Sequence, residues 1–243
     1  MAFRIETKAG AGLILWLILW LASASAAWGA ARSYDVRHRH LRNGGPGVLR
    51  IDENSVSFEE GGKKVNHSRQ WKYEDIQELV LGPETLRIVT WEDNRWELGR
   101  DRVYRFDRLP AKLAADWYPA FRARLDRRFV AALADDSMKP EWQAPVKLVQ
   151  GRGGSHGILL VGTDQMVYKT SEAGRSRTWR IGDVENVSSS DVFDLTLTTH
   201  EREFRFRLKQ ALPEPRYNEL WRRVNRANGL QILTSNDRTG DRQ

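Results

Sequence analysis

Cysteine is absent from all 243 residues. That absence excludes disulfides, thiol catalysis, cysteine-ligated zinc and lipid attachment at an N-terminal cysteine. A chain of this kind holds its fold by packing alone. Histidine is scarce, with five residues, so a histidine-built metal centre has few donors to draw on. A mean hydropathy of −0.60 excludes a polytopic membrane protein. Charge blocks of one sign are lacking as well. Residues 32–139 carry 21 basic and 18 acidic side chains, and residues 140–243 carry 16 and 13, so each half is net +3. No basic tail stands out, which argues against nucleic acid as the partner. The whole chain is nevertheless at +7, a balance that suits acidic partners.

The one long apolar run lies near the start. Arg4 and Lys8 precede Leu13 to Leu21, and the small residues Ala22 to Ala27 follow. A basic start, an apolar core and an A-x-A stretch read as a secretory signal peptide over residues 1–26, cut after Ala24 or Ala26. The expected location is periplasmic or secreted. The competing reading is a retained inner-membrane anchor over residues 9–31. That stretch is free of charge and exceeds the ~20 residues a span needs. Arg32, Arg37, Arg39 and Arg42 behind it would resist translocation of that end.

What the chain has in abundance is self-similarity. Gly47-Val-Leu-Arg-Ile51 matches Gly157-Ile-Leu-Leu-Val161, and Trp71-Lys-Tyr-Glu-Asp75-Ile76 matches Trp179-Arg-Ile-Gly-Asp183-Val184. Leu86–Thr90 then matches Leu195–Thr199, and Tyr104-Arg-Phe106 matches Phe204-Arg-Phe206. Matching order, matching residue classes and slowly drifting offsets mark a tandem duplication. The last offset is shorter, which places about nine extra residues of the first copy within residues 91–103.

Each copy reads as strands that alternate apolar and polar residues, Phe204-Arg-Phe206-Arg-Leu208 being the clearest. A helix closes each copy. Leu109, Leu113, Trp117, Phe121, Leu125 and Phe129 recur every four residues, with Pro110 in the first turn and Pro119 expected to kink or divide the helix. The second helix starts near Pro213 and carries Tyr217, Leu220, Trp221 and Val224 on one face. The expected divisions are residues 32–137 and 145–233 for the two repeats, 138–144 for the linker and 234–243 for a flexible tail.

Trp71 with Asp75-Ile76, Trp179 with Asp183-Val184 and the two closing helices together resemble the pleckstrin-homology-like superfold, including its bacterial GRAM-like repeats. The resemblance implies a mainly β fold with α: two consecutive PH-like β-barrel or sandwich domains. Each would have about seven antiparallel strands closed by a C-terminal helix. It implies a binding or scaffolding module and no chemistry. Phosphoinositide-binding members carry basic residues in the loop joining their first two strands. Here those loops are Asp52-Glu-Asn54 and Gly162-Thr-Asp164, which are acidic or neutral.

Candidate chemistry is sparse. His38 and His40 alternate as on a strand and offer two metal donors where three are needed. They carry the alternative reading of an envelope metal-dependent hydrolase. The glycine-rich stretch 151–157 lacks the Gly-Lys-Ser/Thr ending of a phosphate loop and precedes a strand, so it reads as a turn. Trp71, Trp117, Trp179 and Trp221 are expected to be structural, with Asp75 and Asp183 in a turn or cap role. Lys63, Lys64, Arg69, Arg175, Arg177 and Arg180 occupy corresponding loops of the two copies and would form a patch for an anionic membrane surface. The leading expectation is an exported, non-enzymatic interaction module without a cofactor. Its partner would be a protein, peptide or envelope polymer, met through loops or a sheet edge.

Overall fold

The computed structural model describes residues 31–39, 44–61, 68–94, 99–126, 128–151 and 153–229. Alternating patterns become strands in which every second side chain is buried. β2 (Pro46–Ile51) turns Leu49 and Ile51 inward, and β15 (Glu203–Leu208) does so with Phe204, Phe206 and Leu208. A period of two puts one face of each strand on the core and the other in water.

The first half runs β1 (Arg32–Arg39), β2, β3 (Ser55–Glu60), β4 (Arg69–Lys72), a 3-10 turn at Tyr73–Asp75, β5 (Ile76–Leu81), β6 (Thr85–Asp93), β7 (Asp101–Asp107) and helix α1 (Ala111–Arg124). A short strand β8 (Phe129–Ala131) follows. The second half repeats the list: β9 (Trp142–Gln150), β10 (Gly153–Val161), β11 (Gln165–Lys169), β12 (Arg177–Arg180), a 3-10 turn at Ile181–Asp183, β13 (Val184–Ser188), β14 (Asp194–Thr199), β15 and helix α2 (Glu214–Ala227). The correspondence reaches small features. β5 and β13 carry a register shift at the same place, between Ile76 and Glu78 and between Val184 and Asn186. Gly47 and Gly157 lie against the rings of Phe58 and Tyr168, where a Cβ would collide with the ring. The extra residues of the first copy fall within a longer β6–β7 hairpin, where β6 runs on to Asp93 and β7 begins at Asp101, inside the range that the offset predicts.

Two discrete PH-like sandwiches do not describe this chain, and that expectation is corrected. The strands form one open sheet of fifteen, ordered β13-β14-β15-β9-β10-β11-β12-β8-β5-β6-β7-β1-β2-β3-β4. The joint is β8, which pairs parallel with β5 and antiparallel with β12. The PH-like resemblance overlooks this strand, because Phe129 continues the four-residue spacing of α1. The helix in fact ends at Arg124, and Leu125 starts the turn into β8. α1 is a single helix with Pro119 inside it, so the proline does not divide it. Trp142 to Ala144, expected as linker, begin β9.

Beneath the one sheet the apolar side chains form two clusters. One gathers β1–β8 with Leu113, Trp117 and Phe121 of α1. The other gathers β9–β15 with Leu220 and Val224 of α2. Each helix covers the sheet portion of its own half. Among the described residues no helix is long and apolar enough to cross a membrane. The apolar segment Leu13–Leu21, with the signal-peptide and anchor readings, lies outside the described residues.

Candidate functional site at the open edge of the sheet

The duplication makes one half a template for the other, and the two halves differ at one edge. In the first half β5 is covered. β8 lies along it with Leu79 opposite Phe129, Val80 opposite Val130 and Leu81 opposite Ala131. The N–H of Leu79 donates to the Arg128 carbonyl and the N–H of Ala132 to the Leu81 carbonyl, each at 2.8 Å. The Phe129 ring meets two rings of the helix system, Phe121 at 5.7 Å and Tyr118 at 6.1 Å. The strand is thus held by main-chain bonds on one side and an aromatic anchor on the other.

In the second half the equivalent strand is β13, and it ends the sheet. Val187 stands where Leu79 stands, and Ser189 where Leu81 stands. Asn228 at the end of α2 donates through Nδ2 to the carbonyls of Val184 and Glu185, which closes the first part of the edge. On the side away from β14, Asn186 to Ser188 have no neighbouring strand among the described residues. Counting from Pro110 and Pro213, the residues before each helix, Tyr118 corresponds to Trp221 and Phe121 to Val224. Trp221 is 46% exposed. Val192 and Phe193, in the turn after β13, are also among the exposed large apolar side chains. The opposite end of the sheet differs in kind, since β4 presents Arg69, Gln70 and Lys72 to solvent. Charge of this sort protects an edge from pairing. The β13 edge instead carries the polar residues Glu185, Asn186 and Ser188.

The residues singled out in the sequence divide into several groups. Trp71 is buried on Tyr104, with ring centroids 4.6 Å apart, and Trp179 on Phe204 at 4.9 Å. Trp117 is buried and its Nε1 donates to the Tyr34 hydroxyl at 2.9 Å. Trp221, expected with them in the core, faces solvent instead. Asp75 is exposed, and neither 3-10 turn has a side-chain cap. Asp183 instead receives Arg180, Nε to Oδ2 at 2.5 Å and Nη2 to Oδ1 at 3.0 Å.

The four described basic loop residues each have a partner within the chain. Arg180 also donates to the carbonyls of Arg122 and Leu125, at 2.6 and 2.8 Å, and so ties the second half to the end of α1. Arg177 pairs with Glu201 at 3.2 Å and is largely buried. Arg175 pairs with Glu172 at 3.1 Å, and Arg69 donates to the Ser68 carbonyl. Lys63 and Lys64 lie outside the described residues.

His38 is buried among Phe58, Phe106 and Tyr104, its ring centroid 5.3, 5.4 and 6.1 Å from theirs. His156 is exposed on β10, while His40 and His67 lie outside the described residues. Among the described residues no group of three His, Cys, Asp or Glu is placed to hold a metal ion. Gly151 lies between β9 and β10 with a φ of 46°, and Gly153 begins β10.

Two buried carboxylates, Asp135 and Asp194, escaped the sequence reading. Asp135, between β8 and β9, accepts from the Ser137 N–H and hydroxyl at 3.0 and 2.5 Å and from Gln165 Nε2 at 3.1 Å. Its own N–H donates to Thr178 Oγ1 at 3.0 Å. Burial pushes its carboxyl up, but the hydrogen bonds from Ser137 and Gln165 outweigh that and hold it below the ordinary carboxylate value. Only its repetition-free position beside the joint could have drawn attention to it.

No protein-family model matches the chain, and no curated protein does. Among solved structures it is similar to the C-terminal domain of an unknown protein from Leishmania infantum, at 11% identity and a TM-score of 0.30, over 46% of this chain and 97% of that one. It is also similar to the Spt16D Pob3N heterodimer, again at 11% identity and a TM-score of 0.30, over 76% of this chain and 99% of that one. Similarity at this level bears on neither fold nor function, so the reading rests on the chain's own geometry.

Proposed function

We propose that the chain is an exported, non-enzymatic interaction module that receives an extended segment of a partner protein along β13. One observation carries the reading. The same edge in the first half is already occupied by a strand, and in the second half no strand among the described residues covers it, while Trp221, Val192 and Phe193 of that half are exposed. Strand addition supplies affinity through main-chain hydrogen bonds and specificity through side-chain seats. The buried placement of His38 and the ion-paired state of Arg177 and Arg180 favour this over a histidine-based hydrolase or a basic loop patch.

The test uses the chain's own edge-filling sequence as a surrogate ligand, the octapeptide of residues 126–133. Added to the full chain, it should slow amide exchange at Val187 to Ser189 and leave Arg69 to Lys72 on β4 unchanged. Equal exchange with and without peptide would end the proposal. Export rests on residues 1–26, and N-terminal sequencing of the secreted protein should begin at Ser25 or Ala27.

A further inference from the structure

We infer that the outer face of the β6–β7 hairpin binds an acidic polysaccharide, with Arg87, Arg105 and Arg39 on its carboxylates and Trp91 against a sugar ring. This surface lies in the first half and does not depend on β13 as a binding edge.

Arg105 of β7 stands directly opposite Arg87 of β6 on one side and Arg39 of β1 on the other. Three guanidinium groups thus cross three neighbouring strands in one row, at about 4.8 Å per strand. Like charges directly opposite destabilise a sheet, so the row calls for a compensating anion. Acids meet only its ends, where Glu78 pairs with Arg87 at 2.5 Å and Asp107 with Arg39 at 3.3 Å. Arg105 is exposed between them and forms no ion pair among the described residues. His40 to Asn43, which follow Arg39 and lie outside the described residues, contain no acid. The planar fork of each guanidinium matches a carboxylate.

The second half supplies the comparison. Arg205 holds the place of Arg105, and its row neighbours are Thr196 and Val149. Its guanidinium is taken by the buried Asp194, Nη2 to Oδ2 at 2.5 Å and Nε to Oδ2 at 3.0 Å. The first half has Thr85 in the place of Asp194. The same fold therefore forms without the arginine row, and the row has no structural acid at its centre.

The same hairpin is the longer of the two and exposes apolar side chains. Arg87, Val89 and Trp91 alternate with the buried Leu86, Ile88 and Thr90, so they share the outer face. Trp91 is 63% exposed, and Val103, opposite Val89, is 41% exposed. Arg87 and Trp91 are about 13 Å apart at strand rise, the reach of a short oligosaccharide. Asp93 opposite Asp101 bounds the anion-binding part at the far end. Single-stranded nucleic acid carries a phosphate and a base at every unit and is met by aromatic side chains in series. One exposed indole on this face and a row neutralised at its ends suit a polymer with sparser charge.

The test is calorimetry of the full chain with hexagalacturonate at low salt. Arg105→Gln should weaken binding about tenfold, and Trp91→Ala about fivefold. Both side chains are exposed, so neither variant disturbs the core. Arg207→Gln removes the same charge from the outer face of the second half and should change affinity by less than about twofold. No binding, an equal loss with Arg207→Gln, equal binding of a neutral glucose hexamer, or tighter binding of hexathymidylate would each overturn the inference. The octapeptide of residues 126–133 should bind the Arg105→Gln variant as it binds the parent chain, so failure here leaves the β13 reading standing.

Discussion

Arg180 and Asp183 face each other across a single 3-10 turn, joined by two hydrogen bonds at 2.5 and 3.0 Å, and the same guanidinium reaches into the other half of the molecule. Its Nη1 satisfies the carbonyls of Arg122 and Leu125, which the end of α1 would otherwise leave open. Asp183 thus serves as the counter-charge of a clamp.

Arg180→Met should therefore destabilise the fold by about 2 kcal/mol, the scale of lost hydrogen bonds to a charged group. Asp183→Asn should cost less, because the carbonyl contacts remain. Urea unfolding of both variants checks the order, and equal losses would remove the clamp role.

Asp135 gives a pH dependence with a definite sign. Its folded carboxyl ionises below the unfolded one, so its contribution is complete above the ordinary carboxylate range and is lost as pH falls through the folded value. Asp135→Asn should cost about 1–3 kcal/mol at pH 7, and the gap from wild type should narrow below about pH 4. Denaturant unfolding at pH 7 and pH 3 measures it. A gap that stays constant would mean that the charge of Asp135 has no part in stability.

The tryptophans should separate by burial. Trp71→Ala and Trp179→Ala each empty a buried aromatic site and should cost about 3–5 kcal/mol. Trp221→Ala should stay within about 0.5 kcal/mol of wild type. The comparison doubles as a control, because a Trp221 variant that folds normally makes its peptide binding interpretable.

His38 belongs to an aromatic cluster, so zinc calorimetry of the full chain should give the same heat before and after His38→Ala. The variant's loss should appear in thermal unfolding. A binding heat that disappears with His38 would restore the metal reading.

Much of the architecture was written in repeated residues. Trp71 and Trp179, the alternation Phe204-Arg-Phe206 and the two turns rich in Asp and Gly located strands that the structure contains, because burial on one face imposes a period of two. The joint was not legible. Phe129 kept the spacing of a helix, and three residues are too few to show a strand period. Trp221 kept the spacing of a core position yet sits on the outer side of α2, since periodicity orders residues around a helix without saying how wide the buried stripe is. The candidate edge has no sequence signal of its own. It emerges only when β13 is set beside β5 and, among the described residues, one neighbour is found to be wanting.

The strand β8 has a mechanical consequence. Two apolar clusters, each with its own helix, are spliced into a single hydrogen-bonded ribbon by Phe129, Val130 and Ala131, with one bridging pair, Thr178 and Ala131, on the far side. That seam and the Arg180 contacts to Arg122 and Leu125 are what couple the halves, so whether the molecule melts in one step or two is decided by how firmly these few bonds hold.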